Sequence, residues 1–100
     1  MTDHRGYELV EIARKTGKIK KGTNEATKMV ERGTAKAIVY AADVTPKEIT
    51  MHIPLLAKEK GVLCIEVPSK EELGAAAGLT KPAAAVAIMD AGDAKGLLKE

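Results

Sequence analysis

Aromatic residues are all but missing from this 100-residue chain: Tyr7 and Tyr40 are the whole complement, with no Phe and no Trp. A core must therefore be assembled from Ala, Val, Ile, Leu and Met. Reading RNA by stacking its bases on aromatic platforms is not expected either, which argues against RRM-like and OB-like surfaces. Cysteine occurs once, at Cys64, so no internal disulfide can form. Its neighbours Val62, Leu63, Ile65 and Val67 suggest a buried strand. That favours an inert core thiol over a reactive or ligating one.

Long apolar runs are absent too. The longest, Ala83 to Met89, has seven residues, against about 20 for a membrane span, so no membrane partner is expected. Met1 is followed by Thr2, Asp3, His4 and Arg5, not by the apolar stretch of a signal peptide, which makes the cytoplasm the expected compartment. His4 and His52 stand far apart, and no Cys-x-x-Cys or His-x-x-x-His spacing occurs, so a structural zinc site is not expected. Gly17-Lys18 resembles the end of a phosphate-binding loop only faintly: Ile12 stands where the first glycine belongs and Ile19 where Ser or Thr belongs. Ser69 is the only serine and has a capping role to fill. Neither catalysis nor a cofactor is expected from this residue set.

What is present is a soluble, globular composition, 45% hydrophobic and 30% charged, at a length that fits one domain spanning residues 1–100. The net charge of +2 is unevenly placed. Between residues 14 and 36 the cations Arg14, Lys15, Lys18, Lys20, Lys21, Lys28, Arg32 and Lys36 face only two anions, Glu25 and Glu31. The flanking segments are mildly acidic. Such a basic stretch is either a solvated lysine-rich face or the footprint of a polyanion.

Helical and strand-like segments alternate. Leu9, Val10, Ile12 and Ala13 cluster on one face of a helix over Tyr7–Lys15 that ends near Gly17. Lys18-Ile19-Lys20 is a brief extended piece. A second helix over Asn24–Arg32 stops at Gly33. Ala37–Ala42 reads as a strand covered on both faces. Thr45 can cap a helix with Pro46 at its first position and Glu48 in its first turn. Pro54 opens a further helical turn that Gly61 closes, and Val62–Val67 is the next strand. Ser69 and Glu72 have capping-box spacing, with Gly78 ending that helix, Leu79–Pro82 forming a loop, Ala85–Met89 a core strand and Asp93–Lys99 a short helix. The alternation predicts an α/β fold with helices on both sides of one small, mixed, four-stranded sheet.

The stretch Lys21-Gly22-Thr23-Asn24-Glu25-Ala26-Thr27-Lys28 carries the chemistry. At 100° per residue, Asn24, Glu25 and Lys28 share one face of the second helix, and Ala26, Met29 and Val30 share the opposite one. One account is local: Asn24 caps the helix and Glu25 pairs with Lys28 at i,i+3. The other is recognition. A helix N-terminus attracts phosphate, and Asn and Glu supply the donors and acceptors that distinguish base edges.

These residues, with Glu31-Arg32-Gly33, Ala41-Ala42-Asp43, His52-Ile53-Pro54-Leu55-Leu56, Val67-Pro68-Ser69-Lys70, Leu73-Gly74 and Ala76-Ala77-Gly78, resemble the kink-turn RNA-binding ribosomal proteins, the L-seven-Ae family of archaeal type. The resemblance covers roughly residues 7 to 92. It implies a three-layer α-β-α sandwich that binds a bent internal loop flanked by tandem sheared G·A pairs. It implies that Asn24, Glu25 and Lys28 read those pairs, behind Gly22 and Thr23. Lys21, Arg32 and Lys70 would neutralise phosphates. Ile49 and Leu79 would pack on a flipped-out nucleotide, with Thr80 and Lys81 in the same loop. It further implies a protein that is a monomer when free. Its partners would be ribosomal RNA, guide RNA or ribonuclease P RNA, together with ribonucleoprotein proteins, at the ribosome and in RNA-modifying particles. Two other classes compete: a domain of the same fold binding another RNA, and a protein-interaction module. An enzyme would have only Asp43, Glu48 and His52 as material.

Overall fold

Eight elements follow one another in the computed structural model, which describes residues 5–44, 50–90 and 92. They are α1 (Arg5–Thr16), β1 (Lys18–Lys21), α2 (Thr23–Glu31), β2 (Ala37–Ala41), α3 (Ile53–Lys60), β3 (Leu63–Val67), α4 (Lys70–Ala76) and β4 (Ala85–Asp90). The helices expected after Thr45 and over Asp93–Lys99 fall largely or wholly outside the described residues, as does Ile49.

The sheet has the order β1-β4-β2-β3. β2 and β3 run parallel, from Ala37 opposite Leu63 to Ala41 opposite Val67, and β4 is antiparallel to both β2 and β1. The isolated extended piece around Ile19 is thus an edge strand of a mixed sheet, and its exposed lysines keep that edge unattractive to further strands.

Alternation along β4 separates two apolar layers. Val86 and Ile88 pack with Leu9, Val10 and Ala13 of α1 and Leu73 and Ala76 of α4. Ala85 and Ala87 face the other way, onto Ala26, Met29 and Val30 of α2 and Ile53 and Ala57 of α3. The result is the three-layer sandwich expected from the sequence. Alanines on the α2 side leave room for α2 to lie close to β4, and that sets where the start of α2 emerges.

Several ends are tied as read and others differ. Ser69 caps α4 and its Oγ accepts the Glu72 N–H at 3.2 Å. The reciprocal half of the capping box is replaced: the Ser69 N–H donates to the Tyr7 hydroxyl at 2.9 Å, a partner 62 residues away. Arg14 does not belong to a free basic face, since its Nε donates to the Ala76 carbonyl at 3.1 Å and covers the C-terminal end of α4. Cys64 sits half-buried on β3. Burial, helped by the Glu66 carboxylate, pushes its thiol up to about 11, so it stays protonated and unreactive near neutral pH.

Candidate nucleic-acid interface

β1, β2 and β3 all end where β4 begins. Lys21 lies opposite Val86, Tyr40 opposite Ala85, and Ala41 opposite Val67. From this one end emerge the start of α2, the segment after β2, the start of α4 and the loop leading into β4. The carboxyl ends of parallel strands are where open α/β sheets seat ligands.

A single residue, Gly22, turns β1 into α2. Its φ of 99° with ψ of 147° is backbone that residues with a Cβ essentially do not adopt. The Gly22 N–H donates to the Ala85 carbonyl at 2.9 Å, and its own carbonyl accepts the Ala26 N–H at 2.9 Å. No side chain caps α2. Its first N–H groups and their partial positive charge therefore face outward at the end of the sheet.

Asn24 is not the cap that the local account requires; it is the second residue inside α2 and is exposed. Glu25 and Lys28 are exposed beside it and do not pair. Among the described residues the only ion pair is Lys15 with Glu11, at 3.8 Å. Thr27 is turned inward: its hydroxyl donates to the Thr23 carbonyl at 2.9 Å and lies 3.1 Å from that of Asn24. The buried side of the helix holds Ala26, Met29 and Val30. Arg32, at the C-cap, continues the exposed stripe, about 13 Å from Thr23 at 1.5 Å per residue.

The N-terminal end of α2 opens onto a groove of about 500 Å³ lined by Lys21, Gly22, Thr23, Leu79, Lys81 and Pro82, together with Ala83 and Ala84. Five residues expected to touch RNA meet here. Thr80 lines a second hollow, of about 420 Å³, on the other side of the loop, with Glu71 and Ala75. Leu79, Lys81 and Pro82 border both. Lys70 is joined to the loop through its backbone, the Lys70 carbonyl accepting the Ala83 N–H at 3.0 Å.

Leu79 is not the exposed residue that its suggested role calls for. The Leu79 N–H donates to the Gly74 carbonyl at 2.8 Å and the Gly78 N–H to the Ala75 carbonyl at 3.0 Å, the paired bonds of a helix-ending Schellman motif. Its side chain is half-buried against the α1–α4 core while also lining the groove. Leu79→Ala is therefore expected to lower both quantities that separate a cap from a contact. Thermal unfolding should show a loss of about 1–2 kcal/mol, part of the cost of truncating a buried leucine. RNA affinity should fall by about 1 kcal/mol from lost apolar burial.

The profile of the Ribosomal protein L7Ae/L30e/S12e/Gadd45 family matches residues 4–98. The chain belongs to this family. Among solved structures it is similar to one described as Giardia lamblia 15.5kD RNA binding protein. The identity is 34%, with a TM-score of 0.86, over 94% of this chain and 78% of that one. These are not enzymes, and among the described residues no group of three or more His, Cys, Asp or Glu is placed to hold a metal ion.

In this L7Ae-family chain, two further residues fasten the Leu79–Pro82 loop and the start of α4, and neither has that part in the site expected from the sequence. Gly74 lies where the Leu79–Pro82 loop crosses α4, and an added Cβ would land on the Lys81 carbonyl oxygen. Asp43 accepts the Lys70 N–H at 2.9 Å. Gly74 stood only in the Leu73-Gly74 string of the resemblance, and Asp43 in its Ala41-Ala42-Asp43 string and as material for an enzyme, neither with a part in holding the loop or α4.

Proposed function

We propose that this chain binds structured RNA at kink-turns and holds the bent conformation. One observation carries the reading: Asn24, Glu25 and Lys28 form an exposed stripe, unpaired among the described residues, that starts at an uncapped helix N-terminus beside a lysine-lined groove. A helix held on the sheet by Ala26, Met29 and Val30 gains at most about 1 kcal/mol from each charge on its outer face, through the helix dipole, and that gain does not require Asn24, Glu25 and Lys28 to share one face. Their arrangement suits a ligand that offers phosphates and base edges together. Regular A-form RNA keeps its major-groove base edges in a groove too narrow for side chains, whereas a kink exposes them. Glu25 accepts from guanine hydrogens, Asn24 both donates and accepts, and Lys21, Lys28, Arg32, Lys70 and Lys81 neutralise phosphates drawn together by the bend. Leu79, with Ile49, takes the extruded nucleotide. The protein then acts by population shift, binding one member of an RNA ensemble. Family membership and the RNA-binding neighbour support this reading. We extend it to a single-domain monomer that serves ribosomal RNA, and guide or ribonuclease P RNA, within ribonucleoproteins.

The test is a gel shift with a kink-turn RNA against the same RNA carrying Watson–Crick pairs in place of its G·A pairs. Tight binding to the first and a collapse with the second are expected. Equal affinity would leave only a generic basic patch. Affinity should also fall with salt: roughly five phosphate contacts imply a log–log slope of about −3 to −5, and a flat response would contradict the phosphate contacts.

A further inference from the structure

We propose that Asp43 is a positioning residue of the interface, acting through Lys70; this rests on the RNA-binding reading above. Lys70 is the first residue of α4, so its N–H has no partner within the helix. Asp43, two residues beyond β2, supplies one: Oδ1 accepts that N–H at 2.9 Å. The carbonyl of the same residue accepts the Ala83 N–H at 3.0 Å. One peptide neighbourhood is thus held from both sides, by the segment leaving β2 and by the loop leading into β4.

The backbone around it is laced in the same sense. The Ala41 N–H donates to the Ala84 carbonyl at 2.9 Å, and the Ala42 N–H to the Val67 carbonyl at 2.8 Å. Against these main-chain links, the Asp43 contact is one made by a side chain, and a substitution can remove it alone. Asp43 holds the backbone of Lys70 and not its ammonium, for the two side chains form no ion pair among the described residues. The ammonium is left for a phosphate while the backbone that carries it is held in place, and holding a group near its bound position lowers the ordering cost of binding.

Charge and positioning predict opposite signs. Asp43 is an exposed anion at an interface proposed for a polyanion, so by charge alone its removal strengthens binding. Positioning predicts that Asp43→Ala weakens kink-turn RNA binding by about threefold to tenfold, the scale of one lost hydrogen bond. Asp43→Asn keeps an acceptor oxygen without the charge and should bind at least as well as the unaltered protein. Combining Asp43→Ala with Lys70→Ala should be no weaker than Lys70→Ala alone, because one variant acts through the other.

Hydrogen exchange at the Lys70 amide is measured without RNA and should speed up in Asp43→Ala but not in Asp43→Asn. Binding unchanged or tightened in Asp43→Ala, or additive losses in the double variant, would overturn the proposal. If the unaltered protein ignores kink-turn RNA, the functional reading fails and takes the positioning role with it. The exchange result then still reports whether Asp43 holds Lys70.

Discussion

Gly74→Ala is expected to destabilise the protein and weaken RNA binding more than tenfold, although alanine is the better helix former. Propensity alone predicts the reverse: Gly in a helix costs about 1 kcal/mol relative to Ala. Space decides against it. Gly74 is buried in α4, and a Cβ there would overlap the Lys81 carbonyl oxygen and stand 3.1 Å from the Ala83 nitrogen. Both are backbone atoms that no rotamer change can move aside. The loop must lift off α4, and it is fastened there by the Leu79 N–H to the Gly74 carbonyl and by the Ala83 N–H to the Lys70 carbonyl. Overpacking of this kind costs about 1–3 kcal/mol. In a domain of this size each kcal/mol lowers Tm by about 4–8 °C. Leu79 and Lys81 move with the loop and leave the groove beside Gly22 and Thr23, so affinity falls for a reason unrelated to helix content. Calorimetry and a binding titration check both halves. A variant that melts higher and binds normally would show that the loop yields freely and that its seat on α4 does not shape the interface.

The parts of this molecule that repeat along the chain were legible in its sequence. Ala26, Met29 and Val30 recur at helical spacing opposite Asn24, Glu25 and Lys28, so the buried and presented faces of α2 followed from periodicity. Ala37–Ala41 is apolar on both faces because helices cover both sides of a mixed sheet. The contacts that escaped are those between residues distant in sequence. Arg14 is an ordinary basic residue of α1 until α4 packs alongside and offers the Ala76 carbonyl. Ser69 and Glu72 have capping-box spacing, yet Tyr7 takes the second half of the box because α1 brings a hydroxyl within 2.9 Å of the Ser69 nitrogen. Asp43 and Lys70 are 27 residues apart and share no local pattern. Leu79 posed a choice between cap and contact that local sequence cannot decide, and the fold makes it both half-buried and a groove wall. The G·A-reading role of the α2 stripe rests on resemblance, since an exposed Asn, Glu and Lys at that spacing occur on many solvated helices.

Glu25→Gln is expected to cost about 1–3 kcal/mol of RNA affinity, the range for one good base contact, with almost no change in fold. The side chain is exposed at the third position of α2 and has no ion-pair partner among the described residues, so nothing in the core depends on it. The loss of a carboxylate near a helix N-terminus removes at most about 0.3–1 kcal/mol of dipole interaction. Circular dichroism should be unaltered and Tm lowered only slightly. The sign of the binding change is the informative part. Glu25 is an anion on a surface proposed for a polyanion, so neutralising it relieves repulsion and by charge alone tightens binding at every salt concentration. Gln has nearly the same shape and length, but it replaces one acceptor oxygen with an NH₂ donor, and a donor aimed at guanine imino and amino hydrogens is left unpaired along with them. Leaving such groups unsatisfied costs more than the bond itself contributed. The phosphate contacts are untouched, so the salt slope of the variant should match that of the unaltered protein while its affinity drops by a constant factor. Lys28→Ala should instead shallow the slope by about one contact, 0.7–0.9 in log–log units. If Glu25→Gln binds equally well or more tightly while Lys28→Ala weakens, the stripe acts through charge alone and the base-reading role assigned to Glu25 is wrong.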